Sequence, residues 1–302
     1  LVVCAPPGAI SGLPGTVISI GSPMSEGLTA GDASAATRPT GRGPVVAVID
    51  DAIGYLNARF RAAPDRTRFD AIWIMGPDLG AAGMTGQVLR TADIDARLAS
   101  GRDEVDIYAE DNDRIFRPGT HKPTNLRFGH GTHVLDLAAG EDFAATPDSP
   151  RLLAVQLPPE AVVATSGRRL EHFILMGLRW ILGEIAQNVA SGSPPQAVVV
   201  VLSLGGLAGP KTGQGFFESS LARTLADFGL ACPGVPVRVM AAYGNARRGR
   251  LVGRADLAPG TSADIGWRVL PDDHTSSYLE LRVPTPALDR IGLVLTPPGP
   301  LP

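Results

Sequence analysis

The sequence predicts an α/β fold: a doubly wound parallel sheet, with a β-rich insertion or appended module towards the C-terminal end. Three observations predict it. Short runs rich in β-branched residues lack polar alternation, as strands covered on both faces do. Longer segments with apolar residues three and four positions apart lie between them, the mark of helices packed by one face. Asp50, Ser203 and Asn245 each stand where such an apolar run ends. Ligands of wound α/β sheets gather at those carboxyl ends.

Residues 1–44 are rich in Gly, Pro, Ser, Thr and Ala and read as a loose leader or linker, with one strand-like stretch at Thr16–Ile20. Residues 45–250 carry the alternating pattern. Strands are expected at 45–50, 70–75, 152–157, 197–202 and 237–242. One helix is expected from Leu170 through Ile185, on the spacing of Leu170, Phe173, Ile174, Leu178, Ile181, Leu182 and Ile185. A second is expected over 216–228, with Phe217, Leu221, Leu225 and Phe228 on its stripe. The charged segment 92–115 falls in the long interval between Asp50 and His130 and reads as part of an insertion. Residues 251–302 have no helical period. Within them 262–270, 277–283 and 291–296 read as short strands, separated by Pro-Asp-Asp and Pro-Thr-Pro turns.

A chain of 302 residues with 44% hydrophobic and 19% charged residues has enough apolar material for a large core. A net charge of −3 gives no basis for binding nucleic acid. No apolar run approaches the roughly 18 residues of a membrane span. Two cysteines, Cys4 and Cys232, are too few for a disulfide framework, so cysteine usage leaves the cellular compartment open.

The chemistry is concentrated in three segments. Val45-Val-Ala-Val-Ile-Asp50-Asp51 ends an apolar strand in a carboxylate, Gly129-His130-Gly-Thr-His133-Val opens a helix-compatible stretch with an imidazole, and Val239-Met-Ala-Ala-Tyr243-Gly-Asn245 ends in a side-chain amide. An acid, a base and an amide donor are three of the four parts of a hydrolase that attacks acyl groups with serine.

In this order, the three segments resemble the subtilisin-like serine peptidases. The resemblance implies an endopeptidase acting on peptide or protein substrates; no cofactor is expected and no residue is assigned to a metal. It implies Asp50 as the orienting acid, His130 as general base and Asn245 as oxyanion donor. It also implies that Ser203-Leu204-Gly205 offers backbone to an extended peptide and that Tyr243 lines the pocket for the side chain before the scissile bond. The sequence departs from the family pattern at Ala52, Leu135 and Asp136, where glycine, alanine and glycine are usual.

Asp51 is expected to point away from Asp50, as neighbours in an extended segment do. His133 is expected to face the core with its ring hydrogen-bonded. Gly260-Thr261-Ser262 contains the tripeptide that introduces the family nucleophile, but it comes only 17 residues after Asn245 and a strand-like pattern follows it. The nucleophile is therefore expected beyond Pro302, and residues 1–302 alone are expected to be inactive. Two alternatives belong to other classes. One is a metal-dependent hydrolase on Asp50 and the His130/His133/Asp136 cluster. The other is a non-catalytic protein that holds peptides in a peptidase-like groove.

Overall fold

The computed structural model describes residues 43–76, 86–115, 129–142, 146, 149–162, 170–206, 213, 215–242, 253–269, 279–283, 287 and 290–296. Strand β1 (Val45–Asp50) is buried along its whole length. After a 3-10 turn at Ala58–Phe60, β2 (Arg61–Ala63) and β3 (Arg66–Thr67) form a two-stranded antiparallel ribbon. Next come β4 (Phe69–Met75), β5 (Gly86–Arg90), and helices α1 (Thr91–Ala99), α2 (Glu104–Ile115) and α3 (His130–Ala139). They are followed by β6 (Arg151–Gln156), the single-turn α4 (Pro159–Val162) and the long α5 (Leu170–Ala190). The chain then forms β7 (Val198–Leu202), α6 (Phe216–Ala231) and β8 (Val237–Ala241).

Six strands make one sheet in the order β5-β4-β6-β1-β7-β8. All its pairings are parallel except that of β5, which runs antiparallel to β4 at the edge. The fold is thus α/β with a mostly parallel sheet. The antiparallel edge strand is a correction to the all-parallel expectation. All five expected strands form, with ends displaced by one residue at four of them, and both helices run on past the expected ends to Ala190 and Ala231.

The strand alternation divides the interior into two cores. Val45, Ala47 and Ile49 face α5 and α6 together with Trp73, Leu153 and Val155. Val46 and Val48 face the opposite layer, where Leu135 of α3, Ile94 of α1 and Tyr108 of α2 pack. Burial on both sides is why these strands show no polar alternation. From β4 to β6 and from β6 to β7 the chain steps the same way along the sheet, yet α3 covers one face and α5 the other. Parallel crossovers with helices on opposite faces have opposite hands, so one departs from the right-handed rule. The result that matters for the site is that α3 lies over the face to which the even-numbered residues of β1 point.

The segment read as a charged insertion is built into this layer. Its charges are used in pairs: the Arg97 guanidinium donates to both oxygens of Asp111 at 2.9 Å, and Arg102 donates to Glu110 at 2.6 Å. Just before it, Arg90 grips Glu184 of α5 at 2.8 and 3.1 Å. The strands expected at 262–270, 277–283 and 291–296 are a second correction. The described residues of all three form no strand, and Ile265, Trp267, Leu281 and Leu293 are exposed. A strand is stable only through its neighbours, and an alternating pattern without a paired partner gains nothing from being extended.

Candidate active site

Asp50 is the last residue of β1, and its side chain points to the α3 face. His130 is the first residue of α3. The two meet there: Nδ1 of His130 lies 2.7 Å from Oδ1 of Asp50. The carboxylate is fully buried, whereas the imidazole is 53% exposed. The backbone N–H of Asp51 also donates to Oδ1, at 2.8 Å.

The loop after β1 fixes this contact. A helix N-terminus leaves backbone N–H groups without partners inside the helix, and no side chain caps α3. Instead Gly131 N–H donates to the carbonyl of Asp51 at 2.9 Å, and Thr132 N–H to that of Ala52 at 3.3 Å. The buried Thr132 hydroxyl donates to the Ala52 carbonyl at 2.8 Å and accepts from Gly54 N–H at 2.7 Å. The strand end carrying the acid is thereby stitched to the helix carrying the imidazole. The approach is too close for side chains at two points. A Cβ on Gly129 would stand 2.2 Å from the Ala52 Cβ, and one on Gly131 would stand 2.2 Å from the Asp51 carbonyl oxygen. Ala52, where the resembling family has glycine, sits at φ +48, a left-handed conformation that costs a non-glycine residue about 1–2 kcal/mol.

Burial pushes the Asp50 carboxyl up to about 6, with the hydrogen bond and charge of His130 pulling it back. The Asp50 hydrogen bond raises the His130 imidazole above its ordinary 6.5, against a smaller opposing effect of burial. Each group therefore binds its proton more tightly than it would in water. The exposed ring, held by Nδ1, has Nε2 left for proton transfer.

Two expectations for neighbouring residues are corrected, and one alternative, the His130/His133/Asp136 metal site, finds no such cluster among the described residues. Asp51 does not turn away: ligand-capable atoms of Asp50, Asp51 and His130 lie within 4.8 Å of one another. β1 ends at Asp50 and Asp51 lies in a bend, so the alternation of an extended strand does not reach it. His133 is exposed rather than core-facing, because α3 buries Gly131, Thr132, Leu135 and Ala139 instead. His130, His133 and Asp136 do not assemble as a metal site. Asp136 accepts from Nε of Arg59 at 2.7 Å, and the one candidate cluster among the described residues is Asp50, Asp51 and His130. Within that cluster Nδ1 of His130 and Oδ1 of Asp50 are hydrogen-bonded to each other.

Ser203, Leu204 and Gly205 follow β7, which pairs with β1 through Val48 and Val201, so they leave the sheet on the same side as Asp50. Ser203 is half-buried, Leu204 packs on the α5 and α6 core, and Gly205 is exposed with nothing within 4 Å of where a Cβ would stand. Tyr243 and Asn245 lie outside the described residues. Ser262 is exposed, and among the described residues no serine hydroxyl is hydrogen-bonded to His130. Two contributors have only a faint signal in the sequence: Thr132 lies inside the Gly-His-Gly-Thr-His motif, and Gln156 is the one polar residue in the expected strand Leu152–Leu157.

No protein-family model matches the chain, and no curated protein matches it. Among solved structures it is similar to the CspB protease of Clostridium perfringens, with 21% identity over 61% of this chain and 33% of that one, at a TM-score of 0.43. This chain thus covers about a third of that protein's length.

Proposed function

We propose that the chain carries the general base and orienting acid of a serine endopeptidase of the subtilisin type. The observation that carries this reading is the 2.7 Å contact between the buried Asp50 carboxylate and the Nδ1 of a half-exposed His130. Such a contact holds the proton on Nδ1 and leaves Nε2 as the basic nitrogen. His130 then takes the proton of a serine hydroxyl as its oxygen attacks the peptide carbonyl, and returns that proton to the departing amine. Water repeats the cycle on the acyl-enzyme. Asp50 stays ionised throughout and stabilises the imidazolium.

The remaining roles extend this reading. The Asn245 amide supplies a hydrogen bond to the oxyanion. The backbone of Ser203, Leu204 and Gly205 pairs with the extended substrate. Tyr243 limits the side chain accepted before the scissile bond. The nucleophilic serine lies outside the described residues.

A fluorophosphonate tests the assignment, because it reacts only with a serine activated for attack. Expressed from its complete gene, the protein should take up one phosphonyl group on one serine. His130→Ala should slow that reaction about a thousandfold or more. Labelling that is unchanged in His130→Ala overturns the base assignment. Peptide binding without any labelling would favour a non-catalytic groove.

A further inference from the structure

Two orphaned atoms belong to neighbouring residues beneath the dyad. Asp50 Oδ2 and Gln156 Nε2 are both buried, and neither has a hydrogen-bond partner among the described residues. One is an acceptor and the other a donor. Asp50 and Gln156 are direct partners in the parallel β1–β6 register. Strands so paired run about 4.8 Å apart. Both side chains point to the α3 face, as Val48 of β1 and Ala154 of β6 do two residues earlier.

The orientation of the Gln156 amide is fixed independently of Asp50. Ile53 N–H donates to Gln156 Oε1 at 3.0 Å. A flipped amide would set a donor against that N–H, so the NH₂ group must be the end without a partner. A buried carboxylate oxygen and a buried amide donor, each unsatisfied, both destabilise the fold. One hydrogen bond between them removes both costs. A single bridging water does so equally well, since it can accept from the amide and donate to the carboxylate.

We propose that Gln156 is a positioning residue for the Asp50 carboxylate: its amide N–H supplies Oδ2, directly or across one water molecule, and so completes the donors that hold the carboxylate against His130. Asp51 N–H and His130 Nδ1 serve Oδ1, and Gln156 serves Oδ2. The same side chain, through Oε1, anchors the loop that caps α3. It therefore couples the orientation of the acid to the seating of the helix that carries the base. This inference rests on the reading of Asp50 and His130 as the acid–base pair.

The test follows the Gln156 side-chain amide by NMR in isotope-labelled protein. Its Nε2 protons should exchange slowly with solvent, and one should shift with the same pH midpoint as the Asp50 carboxyl carbon. That pH dependence should vanish in Asp50→Asn. Gln156→Met removes the donor at similar volume, and the Asp50 midpoint should then rise by about one pH unit. A Gln156 that serves only Ile53 gives a different result: rapid exchange, no response to the Asp50 titration, and an unchanged Asp50 midpoint in the methionine variant. That result overturns the proposal. If Gln156→Met fails to fold, the amide titration of the unsubstituted protein decides alone. Loss of the His130 Nδ1 proton signal would instead mean that the acid–base pair itself is misread, whatever Gln156 does.

Discussion

Asp50→Asn is expected to lower turnover about 10⁴-fold while the protein stays folded. The asparagine has the size of the residue it replaces, and it removes a buried charge rather than adding one. The loss is chemical. An amide N–H facing Nδ1 turns that nitrogen into an acceptor, so the ring proton moves to Nε2, where the serine proton has to go. The imidazolium formed during attack also loses the 2.7 Å carboxylate that stabilised it. Turnover of a peptide substrate and the melting temperature, measured on the same sample, separate the two effects. A parallel loss of both would show that Asp50 acts as a structural residue.

Gly131→Ala should have the largest effect on stability. The added methyl would stand 2.2 Å from the Asp51 carbonyl oxygen, 2.7 Å from Ile53 Cγ1 and 3.0 Å from Asp50 Cβ. The Asp51 oxygen is a backbone atom of the loop that caps α3 and Asp50 Cβ is fixed to the end of β1, so neither can swing aside as a flexible side chain would. The helix must lift from the end of β1, breaking the Gly131 N–H bond to Asp51 and parting His130 from Asp50. Overpacking plus a lost buried hydrogen bond amounts to about 3 kcal/mol. Gly183→Ala is the matched control, since nothing lies within 4 Å of its Cβ position in α5. There the helical preference of alanine over glycine should add up to about 1 kcal/mol of stability. Thermal unfolding of the two variants should move in opposite directions.

The central strands were legible because burial on both faces writes a continuous apolar run, as in Val45–Asp50, apolar up to its final carboxylate. The added edge was not. β5 buries only Leu89 and α1 only Ile94, so neither has an apolar stripe to read. Long-range ion pairs such as Arg97 with Asp111 contribute in their place, and such pairs leave no periodic signature. In residues 262–296 the alternation was present, but pairing partners are a property of the fold and not of the segment.

At the site, Asp50 and His130 could be found from residue type and motif. Gln156 could not, because its neighbourhood depends on β6 lying beside β1 in a register that sets Asp50 against Gln156. The strained Ala52 was visible only as a departure from glycine. Its left-handed backbone turns the chain out of the sheet directly after Asp51.

The Asp50–His130 bond is tested most directly by titrating His130 by NMR in the unsubstituted protein and in Asp50→Asn. Five histidines make the assignment tractable. Nδ1 of His130 should carry a proton resonating far downfield, and the ring should titrate above 6.5, the ordinary value. In Asp50→Asn the downfield signal should disappear and the midpoint should fall, because the carboxylate that favoured the imidazolium is gone. The acid limb of turnover should follow the midpoint measured in the unsubstituted protein, since only the neutral ring accepts the serine proton. A His130 that titrates at or below 6.5, with no change on substituting Asp50, would contradict the dyad and the peptidase chemistry built on it.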